Sequence, residues 1–161
     1  MPPFQSVVRD DQTAGIVGEV SNEGPLRVQP WILDSSGSGE TNLIGLVYTK
    51  VSDGKVTVGG TGAFIGIMVQ PKEHALQGAA AGTLEPTLEL QNEDNADFLD
   101  MGIMFVNLIE AGNVGDVLNY NTTTGVIGTG AAGGGELIIP NAKIIQDDIP
   151  GAGLGKIQLT N

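Results

Sequence analysis

Apolar residues in this chain never run far before a glycine, proline, asparagine or aspartate interrupts them. Short apolar runs between turn formers suit strands, because a strand needs only about five or six residues while an amphipathic helix needs about ten or more at 3.6-residue spacing. Helical spacing is scarce here, and β-branched and large apolar residues dominate the runs. The pattern predicts an all-β chain with strands over residues 15–20, 26–33, 42–51, 55–58, 64–69, 87–91, 102–109, 116–120, 124–127, 136–139 and 155–160. Two stretches, 71–80 and 93–101, have the residues for a helical turn or a loop: Pro71 stands early in the first, and acids open the second.

Two hairpins are readable. Asp53-Gly54 lies between the apolar segments ending at Val51 and starting at Lys55, and Asp-Gly supplies the positive torsions of a tight primed turn. Residues 119–125, Asn-Tyr-Asn-Thr-Thr-Thr-Gly, predict a second hairpin with a longer loop. Residues 35–40 and 128–135 consist largely of Ser, Gly, Ala and Thr, whose small side chains bury little against the cost of ordering, so both are expected to be flexible loops. Residues 1–14 are polar and begin with Pro2 and Pro3 after the initial Met, which suggests an extended N-terminal arm.

A length of 161 residues fits one domain and one core, here residues 15–161 behind the arm, since compact domains hold about 100–200 residues. Hydrophobic residues make up 40% of the chain and aromatic residues only 4%, so burial must come from Val, Ile, Leu and Ala in thin sheet packing. The expected architecture is a compact β-barrel or sandwich-like domain with glycine-rich loops.

Chemistry is scarce. There is no cysteine and one histidine, His74, and neither a Gly-x-Ser-x-Gly elbow nor a thiol is present to partner it. A two-histidine metal cage is excluded by count. Gly128, Gly130 and Gly133 fit the spacing of a dinucleotide fingerprint, but Gly134, Gly135 and the strand-like Glu136-Leu-Ile-Ile follow where that motif needs a helix. Gly60–Gly62 and Gly151–Gly155 read as turns or close backbone approaches. The acid-rich stretch from Asn92 through Glu93, Asp94 and Asp97 to Asp100 has oxygen ligands, but lacks the glycine and closing glutamate of a calcium loop, and reads as a solvated acidic loop. No catalytic residue, metal or cofactor is expected.

With 19 acidic residues against 7 basic ones, the formal charge is −12, which repels phosphate backbones and makes nucleic acid an unexpected partner. No stretch of about 18 apolar residues is present to cross a membrane as a helix, and the N-terminus lacks the basic start and apolar run of a signal peptide. The expectation is a soluble protein made inside the cell, with the sequon at Asn121 a chance match. Trp31, after Pro30, is the one large anchor, for the core or for a subunit contact.

Taken in order, several segments resemble the structural cement, or head decoration, proteins of tailed bacteriophages. They are FQSVVRDDQTAGIVGEV from Phe4, GPLRVQPWIL from Gly24, IGLVYTKVSDGKVTVGGTGAFIGIMVQPKEHAL from Ile44, MGIMFVNLIEAGNVGDVLNYNTTTGVI from Met101, and the closing IPNAKII and GLGKIQLTN. The likeness lies in their order: an entry strand with a glycine, a glycine-led strand before a polar turn, then a Val-Gly-Asp strand that returns through Thr-Gly. It implies a nonenzymatic β-rich protein, made in the host bacterial cytoplasm, that binds the outer surface of the phage head as a homotrimer over junctions between major capsid protein subunits. The N-terminal arm is then expected to reach neighbouring capsid subunits, with Phe4, Gln5, Val7, Val8 and Arg9 as capsid-binding residues.

Two other readings fit the composition. One is a different virion module, such as a tail-tube, tail-tip or fibre-associated β domain. The other is a small carbohydrate-binding β domain or β-barrel enzyme using carboxylates such as Asp94, Asp97 and Asp116.

Overall fold

The computed structural model describes residues 15–21, 23–35, 42–70, 89–146 and 149–160. These residues contain no helix and form 12 strands. They are β1 (Val20–Ser21), β2 (Arg27–Leu33), β3 (Asn42–Leu43), β4 (Val47–Ser52), β5 (Lys55–Val58) and β6 (Phe64–Met68), then β7 (Glu89–Leu90), β8 (Asn95–Leu108), β9 (Val117–Asn121), β10 (Ile127–Thr129), β11 (Glu136–Ile144) and β12 (Gly153–Thr160). The architecture is all-β with a barrel core and added strands, as the short-run pattern predicts.

One strand organises the fold. The 14-residue β8 belongs to two closed rings: one runs β8-β2-β5-β4-β6 and back to β8, the other β8-β12-β11-β9-β10 and back to β8. The N-terminal half of β8 pairs with β2 and β6, while its C-terminal half pairs with β12, β1 and the start of β10. Most pairings are antiparallel; β2 with β5 and β10 with β8 are parallel. A separate two-stranded sheet joins β3 to β7.

Buried apolar residues accordingly form two clusters where the sequence reading expects one core. Leu33, Tyr48, Val56, Val58, Met68, Leu90, Ala96 and Phe98 form the cluster within the first ring, where the Tyr48 and Phe98 rings lie 5.0 Å apart. The larger cluster lines the second ring with Met104, Val106, Leu118, Tyr120, Ile127, Ile144 and Ile157, and extends onto Val47, Ile67 and Leu99. Successive strand residues point to opposite faces. Val47, Ile67 and Leu99 are register partners serving the larger cluster, while their neighbours Tyr48, Met68 and Phe98 serve the smaller. The β4–β6–β8 wall is thus apolar on both sides, which is why its sequence lacks polar–apolar alternation.

A bulge lets β8 serve both rings. Arg27 is opposite Met101 and Val28 opposite Leu99, leaving Asp100 with no partner on β2. The extra residue reverses the phase: Phe98 and Ala96 face the smaller cluster, whereas Met104, Val106 and Leu108, also even-numbered, face the larger.

The reading of 93–101 as a helical turn or loop is corrected here. Residues 95–101 are strand, because pairing with β2 on one edge and β6 on the other outweighs the local acid signal. The 71–80 alternative lies outside the described residues. The Asp53-Gly54 hairpin forms between β4 and β5, but only Gly54 has positive φ, and the register shifts between Lys50 and Ser52; it is a bulged turn, not a primed one. The second hairpin forms as predicted, with Asn121 Oδ1 accepting from the amides of Thr123 and Thr124.

The glycine-rich stretch 128–135 is tied down where flexibility is expected. Its first two residues are in β10, the Asn119 side-chain amide donates to the Thr129, Gly130 and Ala131 carbonyls, and Glu136 Oε2 accepts from the Gly133 amide at 2.6 Å. A turn and then β11 follow Gly133, so the pyrophosphate-binding helix that the fingerprint requires is replaced by a strand. Ser35, at the start of the other expected loop, is buried: its hydroxyl donates to Asn42 Oδ1 and accepts from the Val58 amide. Residues 36–40 lie outside the described part.

Candidate functional site

Phe4, Gln5, Val7, Val8 and Arg9, the residues expected to bind the capsid, lie outside the described residues, as does His74. The described residues begin at Gly15, and the segment 15–21 is termed the root. Residues 15–21 lie against β8: the Gly18 amide donates to the Phe105 carbonyl at 2.8 Å, the Phe105 amide donates to the Glu19 carbonyl at 3.0 Å, and Val20 and Ser21 pair with Met104 and Ile103. On the other side, the Gln70 amide donates to the Gly18 carbonyl at 2.9 Å.

Two glycines make a reciprocal fit at this root. Gly18 has φ 82° and a Cβ there would stand 2.1 Å from Ile44 Cγ2; Gly45 has φ 79° and a Cβ there would stand 2.3 Å from Val17 Cγ1. Each loop therefore seats a branched side chain over the bare backbone of the other. Gly15 packs on the Phe105 ring, whose carbons would lie 2.5 Å from an added Cβ. Lys156 Nζ stands 5.8 Å from the centroid of the same ring and pairs with Glu23, whose carboxyl it holds below the usual carboxylate range by hydrogen bonding and charge. Sequence reasoning misses this root. Its one visible sign is Gly15-Ile-Val-Gly18 before the entry strand.

The acidic stretch is dispersed by the fold rather than gathered. Asn92 Oδ1 accepts from the Ser35 amide and the Asn42 side chain. Glu93 pairs with Lys55 at 2.6 Å, and Asp34 joins the same ammonium at 3.5 Å, so the Lys55 pKa is raised, chiefly through the Glu93 hydrogen bond. Asp94 accepts from the Gln91 amide, Asp97 is exposed, and Asp100 accepts from Arg27 and Gln29. Asp116 accepts from the Asn113 amide, closing a local turn like that of Asp94. Among the described residues no three His, Cys, Asp or Glu side chains stand where they could hold a metal ion.

Of the described cations, Arg27, Lys50, Lys55 and Lys156 each pair with a carboxylate, which leaves exposed Lys143 as the one without an ion pair among the described residues. Positive charge is thus largely neutralised within the body. Trp31 packs against the smaller cluster, the core reading of the two, with its indole Nε1 buried and without a hydrogen-bond partner among the described residues.

A closed all-β body stitched by glycine contacts, with most of its described carboxylates engaged in turns and ion pairs, has the construction of a structural module. Its fold is shared along nearly the whole length with a chain of the solved structure titled "The capsid of Myoviridae Phage XM1": TM-score 0.66, 14% identity, 98% of each chain covered. The family model described as structural cement protein (E217 gp24/Pam3 gp6) matches residues 4–160, and the chain belongs to that phage family. No curated protein matches. The protein is a phage capsid cement component, and its family is a structural one.

Proposed function

We propose that the protein binds the outer surface of the expanded phage head as a homotrimer over junctions between major capsid protein subunits, and acts by adhesion without turnover. The observation that carries this reading is the family match over residues 4–160, which takes in the arm as well as the body. The charge of −12 supports it, because such a surface resists adsorption to packaged or host nucleic acid.

The mechanism follows from linkage. Expansion creates a composite surface that is absent or wrongly spaced in the immature shell, and a ligand for one state alone stabilises it by RT ln(1 + [L]/Kd), about 2.7 kcal/mol per site at a hundredfold excess over Kd. Many such sites together oppose internal DNA pressure, and within a trimer each docked subunit holds its siblings at high effective concentration. The arm orders by strand addition to a capsid sheet edge, with Val7 and Val8 facing opposite sides and Phe4 as anchor.

Cosedimentation with expanded undecorated shells and with immature shells tests the reading. Binding confined to expanded shells is expected; equal binding to both, or to neither, overturns it. Deletion of residues 1–14 is expected to abolish decoration and leave the folded body intact, and full occupancy after deletion removes the arm from the mechanism.

A further inference from the structure

The root of the arm is a fixed mount. Gly15 rests on the Phe105 ring, backbone bonds tie Gly18 and Glu19 to Phe105, the Gln70 amide holds the Gly18 carbonyl, and the Val17–Gly45 and Ile44–Gly18 contacts close the fit. Ile16 donates its amide to Glu19 Oε2 at 3.0 Å, which folds residues 16–19 into a tight turn. The contacts come from β8, from the 44–45 turn and from Gln70 just after β6, so residues 15–21 are gripped by three separate parts of the body. A tether needs none of them.

We infer that this root is a positioning device: it sets the place and direction in which the chain upstream of Gly15 leaves the body, so that capsid docking by the arm depends on a fixed launch. Phe105, Val17, Gly18, Ile44 and Gly45 are positioning residues in this sense, acting on the capsid through the arm they aim. The inference rests on the arm reading proposed above. Its physical basis is pre-organisation: a segment already held in its bound direction loses less freedom on docking than one on a swivel. The positive φ at Gly15, Gly18 and Gly45 makes the root costly to build with other residues, which a simple tether has no use for.

The test separates aim from attachment. A short Gly-Ser insert between Ala14 and Gly15 leaves every root contact in place but uncouples the arm's direction from the body. Binding of this full-length variant to expanded shells is expected to weaken about tenfold or more, with an unchanged thermal midpoint and unchanged hydrogen-exchange protection at residues 16–20. The same insert placed ahead of Met1 controls for bulk and is expected to bind as the parent does. Wild-type affinity with the insert at Gly15, while deletion of residues 1–14 abolishes binding, makes the arm a plain tether and overturns the inference. Retained binding after the deletion instead overturns the arm reading itself.

Discussion

Arg27 Nε donates to both carboxylate oxygens of Asp100, at 2.8 and 2.9 Å, and its Nη2 lies 2.8 Å from Oδ2, at the bulge where β8 passes from one ring to the other. The carboxylate is nearly buried and Gln29 adds a bond at 3.2 Å, so this pair stands at the one place where the strand's phase reverses. The guanidinium is held above its already high pKa by the Asp100 hydrogen bond and charge. It remains charged at every pH in which the fold survives.

Replacing Arg27 by Ala leaves the Asp100 carboxylate with Gln29 alone. Stability is expected to fall, by less than loss of a fully buried pair would cost, because the guanidinium is half exposed. Asp100→Asn keeps the shape and an acceptor and is expected to cost less. Urea unfolding of the two variants checks the order.

Neighbouring residues of β8 support different clusters, so their truncations separate. Phe98→Ala is expected to cost about 3–5 kcal/mol and Leu99→Ala about 2–5 kcal/mol. In native-state hydrogen exchange, Phe98→Ala raises exchange first in β2, β4 and β5, and Leu99→Ala first in β9, β11 and β12. Equal loosening of both rings in both variants contradicts the two-cluster description.

The reciprocal fit of Val17 on Gly45 predicts coupling between two residues far apart in sequence. Gly45→Ala is expected to cost about 1–3 kcal/mol, from its positive φ and from the collision with Val17. Val17→Ala removes the collision but not the torsional strain, so the double variant costs less than the sum by about 0.5 kcal/mol or more. A double-mutant cycle in denaturant measures it.

Alkaline titration reports on the smaller cluster. Burial pushes the Tyr48 phenol well above its ordinary pKa of about 10, while in the unfolded chain it ionises at that value. A raised folded pKa means that this stability is fully present below pH ~10 and is lost as pH rises towards the folded pKa, by about 1.4 kcal/mol per pH unit for one linked proton. Tyr48→Phe is expected to flatten that slope and to lose about 1 kcal/mol at neutral pH, because its hydroxyl donates to the Leu43 carbonyl. Phenolate absorbance followed with circular dichroism decides.

Strand content was legible because turn chemistry is local. Residues 55–58 are strand over the predicted span, since Asp53-Gly54 sets one end and Gly59 the other. The failures lie where long-range pairing decides. The strand predicted over 102–109 is the second half of β8, whose first half was hidden by acids and by the extra residue Asp100, which breaks the alternation. β11 runs on past Pro140, beyond the predicted end at residue 139, because the pairing with β9 shifts between Ile138 and Lys143 and makes room for the proline. The order of anchoring loops at Gly128–Gly135 was invisible because one distant side chain, Asn119, supplies three of its bonds. At the candidate site, the arm residues came from the resemblance alone, and Gly45 gave no sign of facing Val17, which is 28 positions away by residue number.

Ring closure on β8 has a consequence for behaviour at high concentration. Strands that return to their own chain offer few unpaired backbone groups to another molecule, and on β2, where only Ile32 and Leu33 meet β5, Pro30 removes one more donor. Among the described residues, the strands of the two rings therefore give crowded copies little means of zipping into fibrils edge to edge.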